Sequence, residues 1–234
     1  MLASVFKRFI EALAVLFIIL TATFFMLRAV PGGPFAQEKD IPEATLRQIE
    51  AYYGLDQPVY VQYFKYLANV VQGDLGPSFK YQGWTVNEII AAKLPVSFEL
   101  GALALAIALT LGIGIGVLAA WRPGTLSDNM PMSLAMLGIC LPTFVLGPVL
   151  ILVFALDLKW VNVMGWNLPQ DRILPALTLG LFYAAYIARL TRSSMLDVRS
   201  EDYLRTAQAK GVSAARTYLV HGLRNGITPV VSYL

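Results

Sequence analysis

Residues 100–121 read LGALALAIALTLGIGIGVLAAW, a run of 22 residues without a charged side chain. An α-helix needs ~20 predominantly apolar residues to cross the hydrocarbon core of a bilayer, at ~1.5 Å of rise per residue. The run therefore predicts a membrane-spanning helix, and it indicates that the chain is an all-α integral membrane protein.

Further charge-free runs lie on both sides of this one. They cover 12–27, 129–156 and 173–188, and a last one, 225–234, reaches the end of the sequence. The two runs of 16 residues are short for a span, so we expect basic side chains at their ends, such as Arg189 and Arg192, to reach the headgroups. The pattern predicts four complete transmembrane helices and the start of a fifth.

The composition excludes several classes of protein. Apolar residues make up 57% of the 234 residues and charged residues 14%, against ~45–50% and ~25% in soluble domains. The net charge of +3 is too small to argue for nucleic-acid binding. Cys140 is the single cysteine in the sequence, which excludes an intrachain disulfide and a cysteine-clustered metal site.

The distribution of charge predicts the orientation in the membrane. With the N-terminus in the cytoplasm, cytoplasmic segments hold ten basic and five acidic residues, and the opposite side holds eight basic and ten acidic. This fits the enrichment of Lys and Arg on the cytoplasmic side. The predicted order is a cytoplasmic N-terminus with the first span at 1–28, a periplasmic helical domain at 29–98, spans two to four at 99–190 with an external loop at 157–172, a cytoplasmic segment at 191–228, and the start of the fifth span at 229–234.

The predicted external domain carries its own helix signals. Proline and glycine positions predict a first helix at 42–54 and a second at 58–73. The second has a tyrosine-rich stripe that we expect to pack against other helices or the membrane interface. Thr85 and Glu88 have the spacing of a capping box, which predicts a third short helix at 85–94.

The sequence lacks recognisable motifs for nucleotide binding or catalysis. The sequence has no phosphate-binding loop of the G-x-x-x-x-G-K-[ST] type, and its single histidine, His221, predicts no catalytic triad. Gly112 and Gly116 lie inside a span, so they indicate a small-residue patch for close helix packing rather than a dinucleotide loop. The absence of charge from the span centres counts against a carrier driven by protons or sodium ions.

The long run 129–156 contains two prolines. Pro142 and Pro148 can break its helix. Cys140 lies close to Pro142 at mid-membrane, where we expect a buried and inert thiol.

The predicted cytoplasmic segment has clear local helix signals. Ser200 has the side chain of a helix N-cap and Gly211 suits a left-handed C-cap, which together predict a ten-residue helix at 201–210. A helix this short is marginal alone and needs a surface to dock on. The small side chains of Ala207 and Ala209 allow the backbone of this helix to come close to the surface on which it docks.

Two other interpretations of this segment compete with docking. A second short helix begins at Ser213, so the pair could be taken for a DNA-binding helix–turn–helix, but its tether between two spans disfavours this. An amphipathic loop resting on anionic lipid remains an alternative.

Several stretches together resemble one known family. RTAQAKG at 205–211, followed by HGLRN at 221–225 and Pro229, resembles the cytoplasmic EAA coupling loop of ABC importer permeases. GLDQP at 54–58 and GDLGPSF at 73–79 resemble the external region of the peptide/nickel (oligopeptide/dipeptide) permease subfamily, and most of all its oligopeptide branch. The resemblance extends over essentially the whole chain.

The resemblance implies a type I ABC importer permease fold in the bacterial inner membrane, forming half of a translocation pathway for peptides. It implies four kinds of partner: a second homologous permease subunit, two ATP-binding subunits, an external peptide-binding protein and the lipid bilayer. ATP and Mg²⁺ would be bound by the ATP-binding subunits, so this chain would hold no cofactor and would not be an enzyme. Members of the subfamily have six spanning helices, so we expect this chain to be truncated at its C-terminus.

Three sets of candidate site residues follow. The matched coupling loop gives the candidate ATPase-coupling residues Arg205, Thr206, Ala207, Ala209, Lys210 and Gly211. The proline-containing third span gives the candidate pathway residues Met136, Cys140, Pro142 and Phe144. The matched external motif gives the candidate docking residues for the binding protein, Asp74, Gly76, Ser78 and Phe79.

Two other functions stay open from the sequence: an ATP-independent secondary carrier or channel, and a membrane-anchored scaffold. The sequence does not identify the substrate either, since oligopeptide, dipeptide, nickel and glutathione systems share these permease motifs.

Overall fold

The computed structural model describes residues 2–29, 54–78, 80–81 and 83–234. The first predicted external helix, at 42–54, lies outside the described residues except for Gly54. The candidate docking residue Phe79 also lies outside them.

Helices form the regular structure of the described part of the chain, where one isolated β-bridge joins Pro77 and Thr85. This confirms the all-α fold class. The helices long and apolar enough to cross a membrane are Ser4–Ala29, Val86–Trp121 and Pro169–Arg199, and a bent pair of helices can supply a fourth span. The predicted number of spans and the separate periplasmic domain stay predictions.

The first of two compact units, Met1–Leu94, is organised by contact between two helices. These are α1, Leu2–Ala29, and α2, Val59–Val71. The ring of Tyr63 on α2 lies 5.2 Å from that of Phe24 on α1, and its hydroxyl lies 2.8 Å from the Thr21 hydroxyl. The packing role predicted for the tyrosine-rich stripe is confirmed at Tyr63, whereas Phe64 stays exposed.

Helix α3, Val86–Trp121, begins with the predicted capping box. The Glu88 carboxylate accepts a hydrogen bond from the Thr85 backbone N–H (2.8 Å), and the Glu88 N–H donates to the Thr85 hydroxyl (3.2 Å). The prediction that this helix ends near Leu94 is wrong, since it continues as the second span. Pro95 removes only one backbone donor, and no glycine follows it closely enough to stop the helix.

The run 129–156, predicted as one span, is a bent pair of helices. These are α4, Leu126–Cys140, and α5, Thr143–Leu150, which is extended by a π-helical segment, Ile151–Asp157. The two arms make an angle of 101°. Of the two prolines that could break the helix, only Pro142 does so: Leu141 before it is extended, as proline requires of its predecessor, while Pro148 lies within α5.

Helix α6, Ile173–Arg199, packs closely against α3 in the second compact unit, Pro95–Leu234. A Cβ placed on Gly112 would lie 2.7 Å from the Ile187 Cβ, and one on Gly116 would lie 2.6 Å from the Ala188 carbonyl oxygen. Only glycine fits at such distances. The small-residue patch predicted on the second span is therefore confirmed, with α6 as its partner.

Two ion pairs join α6 to neighbouring helices, one at its start and one about two turns before its end. At the start, Arg172 Nε lies 2.9 Å from Glu99 Oε1 of α3. Further along, Arg192 donates two hydrogen bonds of 2.6 and 2.7 Å to the carboxylate of Asp128, which is 1% exposed. Arg192, which the charge pattern places at the end of a span, therefore pairs with a buried carboxylate, and its predicted reach to the headgroups stays a prediction.

Candidate functional site

The helix predicted at 201–210 is present as α7, Asp202–Ala209. Its N-cap is Glu201 rather than the predicted Ser200. Ser200 has helical backbone angles and ends α6, with its hydroxyl donating to the Asp197 carbonyl at 2.8 Å. An N-cap needs an extended backbone, which Glu201 has and Ser200 lacks.

The C-terminus of α7 has the predicted glycine cap. Gly211 has a φ of +85°, a left-handed conformation that residues with a Cβ rarely adopt. Its N–H donates to the Gln208 carbonyl (2.9 Å), and the Val212 N–H donates to the Ala207 carbonyl (3.2 Å). These two bonds form a Schellman motif, which fixes the direction of the chain after the helix.

One side chain anchors α7 to the rest of the unit. Leu204 is the buried residue of this helix, and it lies over Gly222 in the following helical segment. A Cβ on Gly222 would lie 3.7 Å from Leu204 Cδ1 and 3.6 Å from Met195 Cε. Met195 belongs to α6 and is fully buried. Through this contact α7 is connected to α6, with only Gly222 between the side chains of Leu204 and Met195.

The predicted coupling residues do not include this anchor, and most of them are exposed. Ala207 is half-buried, and the remaining five are exposed: Arg205, Thr206, Ala209, Lys210 and Gly211. The structure therefore brings all six together on one short helix and its cap. Their surface is left uncovered by the described part of the chain.

The chain after α7 is helical but irregular. Ser213 is the predicted N-cap of α8, Ala214–Arg216, and its hydroxyl accepts a hydrogen bond from the Arg216 N–H at 3.5 Å. A π-helical segment, Thr217–Gly222, then leads into α9, Leu223–Gly226, and α10, Thr228–Tyr233. The wider π turn buries Thr217 and Tyr218 on the same side as Gly222, which no sequence signal indicated.

A cleft of about 340 Å³ opens beside α7. Its lining includes three arginines and one aromatic pair: Arg122, Arg199, Arg205, Trp121 and Tyr218. The rings of the pair meet edge to face with 5.1 Å between their centroids. No sequence signal indicated this cleft, because its lining residues come from five separate helical segments.

The hydroxyl of Tyr218 is buried and has no hydrogen-bond partner among the described residues. Burial raises the pKa of this hydroxyl above its ordinary value, and the positive charge of Arg199 acts in the opposite direction. The group is therefore a protonated donor at neutral pH.

The candidate pathway residues lie around the break in the third span. Met136 and Phe144 are exposed, the latter by 77% of its surface. Pro142 is exposed as well, and it forms the break. Cys140 is also exposed, so the prediction of a buried thiol is wrong: α4 ends at this residue, and the bend leaves the helix end uncovered.

The candidate docking residues lie on the loop between α2 and α3. Asp74 is exposed, and its carboxylate accepts a hydrogen bond from the Gly76 N–H at 2.9 Å. Asn87 holds the loop in place by accepting from the Leu75 N–H at 2.8 Å. Ser78 is buried and its hydroxyl accepts two backbone hydrogen bonds, so it shapes the loop, and its part in docking stays a prediction.

Comparison with known proteins now decides the family. The family model for the inner membrane component of binding-protein-dependent transport systems matches residues 112–234. The model for the N-terminal part of such membrane components matches residues 1–101. The chain belongs to this family. Its exposed α7 and Gly211 lie within the first of these matches.

Relatives in the family extend the match over the whole chain. The oligopeptide transport system permease protein OppB of Haemophilus influenzae is 46% identical over 100% of this chain and 77% of its own length. OppB of Escherichia coli K12 is 44% identical over the same shares. The dipeptide transport system permease protein DppB of Bacillus subtilis is 42% identical over 97% of this chain and 74% of its own.

Proposed function

We propose that α7 is the element through which a separate ATPase moves this chain, which is a membrane permease subunit of an ABC peptide importer. The observation that carries the proposal is the packing of α7: one buried leucine anchors the helix, and the remaining surface is open. A docked partner would complete the packing that so short a helix needs.

A short path of contacts supports the transmission of movement. Leu204 packs over Gly222, and Gly222 packs against Met195 of α6. Packed side chains behave as a stiff solid rather than a liquid. A displacement of α7 by ATPase closure would therefore shift the inner end of α6, and α6 would carry it into the bilayer.

Membership of the family supports the rest of the proposed assembly. We assign ATP and Mg²⁺ to two ATPase partners, and the other half of the translocation pathway to a second, homologous permease subunit. Met136, Cys140 and Phe144 are apolar, exposed and close to the bend at Pro142, which supports a place on the pathway or against the second permease. An external peptide-binding protein would dock on the loop that presents Asp74 and Gly76.

We further propose that the N-terminus and the segment 191–228 lie in the cytoplasm. The excess of basic residues in the cytoplasmic segments supports this orientation. It places the region 29–98 and the loop 157–172 outside the inner membrane, where a binding protein has access.

Site-directed cross-linking tests the docking of α7. Cys140 is the only cysteine in the sequence, so a C140S background allows a single new cysteine to be placed at Ala209, which is exposed. We expect A209C to form a cross-link to an ATPase subunit in the assembled importer. The matched variant N167C places the cysteine in the external loop and is expected to form none.

The same two variants test the orientation independently. A membrane-impermeant maleimide added to spheroplasts is expected to label N167C and to leave A209C unlabelled until the membrane is opened. Labelling of A209C from outside would contradict the orientation. Correct labelling without any cross-link at A209C would contradict docking alone.

Gly211→Val is expected to separate ATP hydrolysis from peptide uptake. Placing a β-branched residue at φ +85° costs about 1–3 kcal/mol, because the Cβ meets the backbone there. The population of correctly capped helix, and with it uptake in proteoliposomes, should fall by about tenfold or more. ATPase activity of the same preparations should persist.

Gly211→Asn is the matched control for this variant. Asparagine tolerates the left-handed conformation better than other residues with a Cβ, and a Cβ at this position would meet nothing within 4 Å. We therefore expect uptake to be largely retained. Equal loss of uptake in both variants would show that the conformation of Gly211 is not what matters.

A further inference from the structure

The cleft beside α7 combines uncompensated positive charge with an unused hydrogen-bond donor. The side chains of Arg122 and Arg199 have no ion-pair partner in the part of the chain that the structure describes. Arg205 reaches only Asp202 on its own helix, at 3.6 Å and in solvent. Like charges gathered at one concave surface repel each other and attract an anion.

Tyr218 supplies a second observation that points to a ligand. The side chain is 8% exposed, lines the cleft, and its hydroxyl has no partner among the described residues. A buried hydroxyl without a partner loses the hydrogen bonds that it would make to water, so such groups usually have a ligand, ion or water. An oxyanion in the cleft would accept from the guanidinium groups, and also from this hydroxyl once the Tyr218 ring turns to expose it, because the hydroxyl is enclosed in the free structure.

The position of the cleft selects the kind of anion. Trp121 is the last residue of α3, and with Tyr218 it forms the aromatic pair that borders the cleft. Tryptophan and tyrosine concentrate where the headgroups meet the hydrocarbon core. Basic pockets at the cytoplasmic end of transmembrane helices suit the phosphate of an anionic lipid headgroup. A volume of about 340 Å³ lies within the ~300–1,000 Å³ typical of sites for small ligands.

We propose that this cleft binds the phosphate group of an anionic phospholipid, held by Arg199 and Arg122 and by the hydroxyl of Tyr218. Guanidinium groups pair with phosphate through short, charge-assisted hydrogen bonds. The bound lipid bridges three elements: the end of α3, the end of α6 and the π-helical segment Thr217–Gly222, whose Gly222 contacts Leu204. It is therefore a structural lipid at the base of α7. The proposal rests on the proposed cytoplasmic orientation, which the maleimide labelling tests separately.

Native mass spectrometry of the assembled, delipidated importer tests the proposal. The probes are dioleoylphosphatidylglycerol, dioleoylphosphatidylcholine and inorganic phosphate. We expect phosphatidylglycerol to bind with the highest affinity, and Arg199→Gln to weaken that binding by about tenfold, as the loss of one charge-assisted hydrogen bond predicts. Arg224→Gln makes the same charge change at an exposed arginine outside the cleft, and it should weaken binding less than about twofold.

Tyr218→Phe keeps the ring and removes only the hydroxyl, so the variant should fold at least as well as the wild type. We expect it to weaken phosphatidylglycerol binding by about three- to fivefold.

Equal weakening by R199Q and R224Q would overturn the proposal in favour of diffuse surface attraction. Saturation by inorganic phosphate as effectively as by phosphatidylglycerol would overturn the assignment to lipid. Binding of phosphatidylglycerol no tighter than that of phosphatidylcholine by the assembled importer would overturn the proposal as a whole.

Discussion

Asp128→Ala is expected to lower the free energy of unfolding of this permease by about 3 kcal/mol, the largest loss that we expect from a single substitution. The carboxylate is 1% exposed and accepts both hydrogen bonds of a bidentate pair with Arg192. It also accepts from the Gly124 N–H at 2.8 Å. Alanine would leave the largely enclosed guanidinium of Arg192 without a partner, and it would remove the acceptor of the Gly124 N–H.

The measurement is SDS-induced unfolding of the full-length chain in mixed micelles. Asp202→Ala serves as the matched control, since it removes an exposed carboxylate that pairs with Arg205 only in solvent, and such pairs contribute little. A second comparison tests the cause. Asp128→Leu combined with Arg192→Met replaces the pair by apolar groups, and it should be more stable than Asp128→Ala alone. A double variant less stable than the single one would show that the charges are not the source of the loss.

Gly116→Ala is expected to destabilise the chain by about 1–3 kcal/mol, the usual cost of overpacking. The added methyl group would lie 2.5 Å from Thr191 Cβ and 2.6 Å from the Ala188 carbonyl oxygen. Because a backbone atom is one of the two obstacles, a rotamer change cannot relieve the overlap. Helices α3 and α6 must move apart, which also loosens the contacts on either side.

Gly114→Ala is the control on the same helix. A Cβ at Gly114 would meet nothing within 4 Å, so the substitution should be neutral or should stabilise the helix by up to about 1 kcal/mol. The two variants thus differ in the expected sign of the change. Equal destabilisation by both would show that the close approach of α3 to α6 does not govern stability.

The features that could be predicted from sequence are those fixed by neighbouring residues. The charge-free runs located the helices because membrane burial demands about 20 apolar residues in sequence. Gly211 was assigned correctly because a glycine after a short helix suits a left-handed cap. The boundaries of α7 differ from the prediction by a single residue at each end.

The features that could not be predicted depend on distant residues coming together. Asp128 and Arg192 are 64 residues apart, and each looks like an ordinary surface charge in its local sequence. Pro142 and Pro148 carry the same local signal, and only the tertiary structure decides which of them breaks the helix. The cleft beside α7 had no sequence signal at all, because its arginines lie in separate segments.

Two ion pairs hold α6, one at its start and one about two turns before its end, and they lie about 30 Å apart along the helix axis. Between them, Gly112 and Gly116 keep α6 in close contact with α3. A helix held at three points along its length cannot slide or tilt against its neighbour without breaking one of these contacts. We therefore expect α3 and α6 to move as one rigid pair whenever this subunit changes shape.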